Sequence, residues 1–221
     1  KIRLALFILL MGYGYAIATT ITSTSIVSGP TSGGYSITVE LNTAVGNAHE
    51  ATVTMGKNTC LVTSNNSQSV TCTVPEGVGA VDVILNLDDQ DSNPLPFTYD
   101  APSISNITPT TLDRLGGETV VIVGDNFGAS GAKVCIDGKE CTGLIHSSTQ
   151  PHQELSCTSP ASNKTNANLS VLQNGGLITY APITVSFSQC DPGFINSGVN
   201  CVPCVAGTYQ DLAGQNSCKL C

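Results

Sequence analysis

Ten cysteines among 221 residues are the side chains of this chain best equipped for chemistry, and their spacing decides which chemistry that is. Cys60 and Cys72 sit in two apolar, Thr-rich runs on either side of a polar turn, Ser64–Ser69. That arrangement predicts a β-hairpin whose strands a disulfide can tie. The pattern returns downstream: Leu155-Ser-Cys157-Thr-Ser-Pro160 repeats Val70-Thr-Cys72-Thr-Val-Pro75, with Cys141 ahead of a long polar turn. We therefore expect the pairs Cys60–Cys72 and Cys141–Cys157. Cys135 is then left over. It can instead pair with Cys141 across the Asp137-Gly138 turn and free Cys157, a choice the sequence leaves open.

Near the end of the chain, Cys190-Asp-Pro-Gly-Phe and Cys204-Val-Ala-Gly-Thr-Tyr open two copies of a small repeat that close at Cys201 and Cys218. The run Cys201-x-x-Cys204…Cys218-x-x-Cys221 also offers the four thiolates of a zinc ribbon. Its spacer is short for a ribbon, however, and the repeat begins at Cys190, outside that site. Disulfides Cys190–Cys201 and Cys204–Cys218 account for the same residues better, and no metal or other cofactor is expected. A module with so little apolar sequence needs such staples. Cys221 would open a third unit. With Cys135 it is expected to be unpaired or bonded to another chain.

So many cysteines at hairpin spacing favour an oxidising compartment. Four N-x-Ser/Thr sequons, at Asn65, Asn106, Asn163 and Asn168, point the same way and are candidate N-glycosylation sites. Lys1 and Arg3, the apolar run Leu4–Met11 and Ala16-Ile-Ala18 have the layout of a secretory signal peptide. Residues 1–18 are read either as that signal or as a retained apolar segment able to join a neighbouring copy by strand addition.

Other candidate sites reduce to structural readings. Asp89-x-Asp91-x-Asn93 starts like a calcium loop, but Pro94 stands where glycine is needed and the distal Glu is missing, so a solvated turn is expected. Gly29-Pro-Thr-Ser-Gly-Gly34 leads into a strand rather than a helix, which excludes a phosphate cradle. His49, His146 and His152 have no carboxylate or thiol partner at a recognisable spacing and read as polar loop residues. Ser130 fails the nucleophile-elbow pattern. With no convergent catalytic set, an enzyme is not expected. A net charge of −8 argues against nucleic-acid partners.

The elements that carry these cysteines are strands. Charged residues make up 11% of the chain, and Thr, Ser, Val and Gly are plentiful, a composition that favours strands and turns. Alternation in Ile37/Val39/Leu41 and Val81/Val83/Leu85/Leu87 puts each apolar set on one strand face. Strands are predicted at 36–41, 51–55, 60–63, 69–74, 81–87 and 96–99, then at 104–107, 119–123, 132–136, 140–145, 155–158, 167–172 and 177–180. Ser28–Val39 has a counterpart in Thr108–Val123, and Phe97–Pro102 in Ile178–Pro182. Two copies of one module result, residues 19–101 and 102–189, each an antiparallel sandwich. They meet at Ala101-Pro102, a boundary too short for a flexible linker. Residues 190–221 form a third, cysteine-rich unit in which strand signals fade.

A Gly-Gly turn into a strand, then Gly124-Asp-Asn126-Phe127-Gly128, a cysteine hairpin ending Cys-Thr-x-Pro, and a closing Tyr resemble the IPT/TIG family of immunoglobulin-like domains. The match covers both modules, although Gly-x-Asn-Phe-Gly is missing around Leu41–Asn47 of the first. Cys201–Cys221 resembles the ephrin-receptor-like and TNF-receptor-like cysteine-rich repeats. The expected fold class is all-β: two tandem immunoglobulin-like β-sandwiches plus a small disulfide-rich C-terminal module. The resemblance implies a non-enzymatic extracellular structural or adhesion protein, to which the sequons add N-glycans, with a filament subunit as one form of it and a receptor's ligand-binding ectodomain as the alternative. Partners are then proteins, glycans or copies of the chain. Membrane contact is expected only through the N-terminal segment or a region beyond Cys221. DNA binding, known for some family members, needs basic loops that this sequence lacks.

Overall fold

The computed structural model describes residues 19–42 and 50–221. The expectations for residues 1–18 and His49 lie outside the described residues, as does most of the stretch where module 1 departs from Gly-x-Asn-Phe-Gly. Nine strands build module 1: β1 (Ile21–Thr24), β2 (Ser28–Gly29), β3 (Ser36–Leu41), β4 (Ala51–Met55), β5 (Asn58–Asn65), β6 (Ser69–Thr73), β7 (Ala80–Leu87), β8 (Gln90–Asp91) and β9 (Leu95–Tyr99). Nine more build module 2: β10 (Ser103–Thr108), β11 (Thr111–Leu112), β12 (Thr119–Asp125), β13 (Lys133–Ile136), β14 (Lys139–Glu140), β15 (Thr142–His146), β16 (Glu154–Thr158), β17 (Ala167–Leu172) and β18 (Ile178–Phe187). The described residues contain no helix.

The two modules share one topology. In module 1, β1-β3-β6-β5 faces β5-β4-β7-β9-β2, and β5 belongs to both sheets. In module 2, β10-β12-β16-β15 faces β14-β13-β17-β18-β11. The crossing strand divides there into β14 and β15, and Cys141 is the residue between them. Cys60 marks the same crossing in module 1: it lies opposite Val53 of β4, and the next residue, Leu61, pairs with Thr73 of β6. A strand that leaves one sheet for the other must turn through the core, and a cysteine is small and apolar enough to sit there.

Alternation fills each core. Ile37, Val39, Val53, Met55, Val83, Leu85, Phe97 and Tyr99 are buried in module 1; Val120, Ile122, Val134, Ile136, Leu155, Leu169, Val171 and Phe187 are buried in module 2. Burying each large apolar side chain contributes about 1.5–3 kcal/mol. Phe97 and Tyr99 meet edge-to-face at 5.2 Å, and Tyr99 donates its hydroxyl to the Pro75 carbonyl at 2.9 Å. Burial pushes the Tyr99 phenol up to about 12; burial, with help from Tyr99 and Asp100, does the same for Tyr35.

Module 3 has more strand than its sequence predicts. β19 (Phe194–Ser197) pairs with β20 (Asn200–Pro203), and β21 (Thr208–Tyr209) with β22 (Lys219–Leu220). These strands are too short to show a period. Their hairpins close on Cys190–Cys201 and Cys204–Cys218, with Cα–Cα distances of 5.5 and 5.8 Å.

Candidate functional site: the joints and the cleft between modules

Module 1 meets module 2 through a turn on each side. On the module 1 side, the turn after β2 presents Thr31, which is fully buried. On the module 2 side, β12 ends in the turn Gly124–Gly128. Gly124 has no room for a Cβ, which would sit 1.9 Å from the Ser103 carbonyl oxygen. Asn126 adopts a left-handed φ of 61°, a conformation that Asn tolerates better than most residues. Phe127 turns back into the core and is buried.

That shape aims Asn126 at module 1. Its Oδ1 accepts from the Thr31 N–H at 3.2 Å. Its own carbonyl, with that of Asp100, takes Nε2 of buried Gln173, at 2.5 and 2.9 Å. Thr31 Oγ1 lies 2.9 Å from His152 Nδ1, and His152 Nε2 lies 3.5 Å from the Glu76 carboxylate. Val78 packs against Gly128 and Gly175. Among these buried groups Gln173 Oε1 has no partner, but the others pair across the boundary and fix its geometry, because separating them leaves each unpaired or newly hydrated.

His152 is a polar loop residue, as its local sequence suggests, but one that the joint holds in place. Its partners lie 121 and 76 residues away in the chain, where no local spacing could reveal them. His146 is also tied down, with Nδ1 2.8 Å from the Pro151 carbonyl. Beside the joint opens a cleft of about 430 Å³, lined by Pro30 and Ser32 of module 1 and by Asp125, Asn126 and the Thr149–Gln153 loop of module 2.

The second joint uses the matching turn of module 2. Arg114, between β11 and β12, is buried and reaches into module 3. Its Nε donates to the Val199 carbonyl at 2.8 Å and Nη2 to Asn196 Oδ1 at 2.9 Å. Nη1 contacts the sulfurs of both Cys190 and Cys201.

The cysteines divide by module. Cys60 and Cys72 are bonded, with Cα atoms 5.5 Å apart. The expected Cys141–Cys157 bond is not closed in this structure, which holds two buried thiols in contact. The hydrogen bond between them raises the Cys157 thiol, as does burial, and lowers that of Cys141. Cys135 is likewise a free thiol in this structure, unbonded to Cys141. It lies opposite Glu140 on the outward face of β13, between inward-facing Val134 and Ile136, whereas Cys141 points into the core. Burial, then Glu140, raises the Cys135 thiol. Cys221 is an exposed thiol.

Among the described residues, no three His, Cys, Asp or Glu side chains converge as metal ligands. In the acidic turn, Asn93 is structural: it bonds the N–H and the carbonyl of Ile21 at 2.9 and 3.1 Å. The sequon residues Asn65, Asn106 and Asn168 are exposed. Asn163 is half-buried at the second joint, where Nδ2 donates to the Gly198 carbonyl at 3.0 Å.

The IPT/TIG domain family matches residues 19–99 and again residues 102–187. The chain belongs to the IPT/TIG family. Residues 193–221 match the tyrosine-protein kinase ephrin type A/B receptor-like family, so both family resemblances in the sequence hold. Fibrocystin-L of Mus musculus is 26% identical over 125 residues, which are 54% of this chain and 3% of that protein. The chain thus spans a small fraction of that relative. Among solved structures, the full extracellular region of plexin A4 is similar at 17% identity and a TM-score of 0.40, covering 80% of this chain and 16% of that one. The Yersinia pseudotuberculosis adhesin InvE is similar at 15% identity and a TM-score of 0.45, covering 88% of this chain and 62% of that one. The IPT/TIG pair supplies the immunoglobulin-like sandwiches, and the joint at Asn126 lies in the second domain's own Gly-x-Asn-Phe-Gly turn.

Proposed function

We propose that this chain is a non-enzymatic extracellular adhesion or structural protein, whose two IPT/TIG domains and cysteine-rich module act together as a stiff spacer. The observation that carries this reading is the pair of buried polar joints centred on Thr31 and Arg114. Domains in one chain ordinarily move against each other. Here hydrogen bonds span both boundaries and hold the angles between modules.

An extracellular setting is supported by the three disulfides and by the family's occurrence in receptor ectodomains. N-glycans on Asn65, Asn106 and Asn168 would sit on exposed residues, while one on Asn163 would emerge at the second joint. Partners are proteins or glycans that engage exposed loops or the open sheet edge at β15, whose Ile145 is exposed. Copies of the chain joined end to end would make a filament.

The test is to express the chain through a secretory route, treat it with N-glycosidase, and examine it by small-angle scattering and negative-stain electron microscopy. Rods of one fixed shape that lose mass on deglycosylation are expected, and regular fibres would add the filament. Rods that flex freely between residues 101 and 102, or protein that stays in the cytoplasm with reduced cysteines, would overturn the reading.

A second reading, a receptor's ligand-binding ectodomain, is favoured by the cleft beside the first joint. Its polar rim of Asp125, Gln150 and Gln153 suits a hydroxyl-rich or peptide ligand. Saturable binding from a glycan or peptide array, abolished by substitutions in 149–153 that leave the rod shape intact, would favour this role over the spacer.

A further inference from the structure

A buried guanidinium ordinarily has a carboxylate beside it, because an unpaired charge in the interior is costly. Arg114 is buried, yet among the described residues no carboxylate bonds it. It faces a carbonyl, an amide oxygen and two sulfurs instead. Of these, the sulfurs alone can become anions, and they do so when the bond between them opens. The two sulfurs also differ in access: Cys201 belongs to an exposed residue, whereas Cys190 is 1% exposed and lies under the arginine.

We propose that the Cys190–Cys201 disulfide is a thiol-exchange site, attacked at Cys201 and opened with Cys190 as the leaving group. An external thiolate, from a small thiol or a dithiol oxidoreductase, displaces Cys190 from the Cys201 sulfur. The incoming sulfur bonds to Cys201 as a mixed disulfide, and the Cys190–Cys201 bond breaks. Its electron pair stays on Cys190 as a thiolate, for which Arg114 supplies the missing counter-ion. A neighbouring cation lowers a thiol's pKa, and a leaving thiol of lower pKa departs faster. Cys204–Cys218 provides the internal reference, since the nearby Lys219 ammonium pairs with the Asp211 carboxylate at 2.5 Å.

The test is to expose the intact chain to reduced glutathione, quench with acid, alkylate, and map the adducts by peptide mass spectrometry. Cys190–Cys201 is expected to open before Cys204–Cys218, with glutathione on Cys201 and the alkyl label on Cys190. Arg114→Gln is expected to slow opening about ten-fold, and Arg114→Lys to restore part of the rate. Glutathione found mainly on Cys190, or opening of Cys204–Cys218 first, would overturn the proposal. So would an Arg114→Gln chain that stays folded by hydrogen exchange and opens as fast as the parent. The adduct position in the unaltered chain decides the matter even where the variant fails to fold.

Discussion

Thr31 and Arg114 hold the same place in their modules. Each stands two residues before a Gly-Gly pair, Gly33-Gly34 or Gly116-Gly117, and each is buried against the module that follows. The turns are shaped alike. Gly33 and Gly116 both have positive φ, and an added Cβ would strike the chain beyond β6 or β16 at 2.5 or 2.7 Å. What differs is the side chain each turn presents. Facing a sandwich loop, Thr31 uses a hydroxyl and a backbone N–H against an imidazole and an amide. Facing a disulfide hairpin, Arg114 extends a cation to a carbonyl, an amide and two sulfurs. The position of a joint is thus a property of the module, and its chemistry answers the neighbour.

Breaking each joint measures that difference. Arg114→Ala leaves Asn196 Oδ1 and the Val199 carbonyl without their donor, and should cost about 2–3 kcal/mol of module 3 docking. Hydrogen exchange across residues 190–221 should rise while both sandwiches keep their protection. Unchanged protection there would mean that the disulfides alone hold module 3.

The crossing cysteines provide the next contrast. A mild oxidant should close Cys141–Cys157 and stabilise module 2 by about 3 kcal/mol, read from the denaturation midpoint. Alkylation of the unfolded chain should then count two open cysteines instead of the present four, Cys135, Cys141, Cys157 and Cys221. If four labels remain after oxidation, the crossing strand of module 2 holds its sulfurs out of bonding geometry, unlike that of module 1.

Thr31→Val keeps the shape of the side chain and removes its bond to His152. A loss of about 1 kcal/mol is expected, well below that for Arg114, with wider interdomain motion in scattering. An equal or larger loss would reverse the ranking of the joints.

A last contrast distinguishes module 1 by pH. Its Tyr35 and Tyr99 phenols titrate near 12 when folded and near 10 when unfolded. Above pH 10 the unfolded chain gives up protons that the native state keeps. The stability these phenols contribute is full below pH 10 and is lost as pH rises through 12. Tyr99→Phe should flatten that decline in an alkaline unfolding series; an unaltered decline would place its cause elsewhere.

The sandwiches were legible because their signal is local. Ile37/Val39/Leu41 and Val83/Leu85/Leu87 alternate, and the strands lie where alternation places them. The same rule bears on Cys135, since Val134 and Ile136 claim the inward face and leave it outside. The joints were not legible, since Thr31 finds Asn126 and His152 across 95 and 121 residues. One local clue existed: Gly124-Asp-Asn-Phe-Gly128 is a Gly-flanked turn with an Asn, a residue that tolerates the left-handed backbone found there. Arg114 gave no such clue, because an arginine beside a Gly-Gly turn looks solvated until the module that covers it is seen.

The direction of the joints has a consequence for synthesis. In both, the docking residue belongs to the earlier module and its partners to the later one: Thr31 precedes His152 by 121 residues, and Arg114 precedes Cys190 by 76. Domains generally fold in order as the chain emerges from the ribosome. Each finished module therefore waits with an open socket until its successor has been made. Assembly runs one way along the chain, and an arrested translation product is left with an unfilled Thr31 or Arg114 socket on its last finished module.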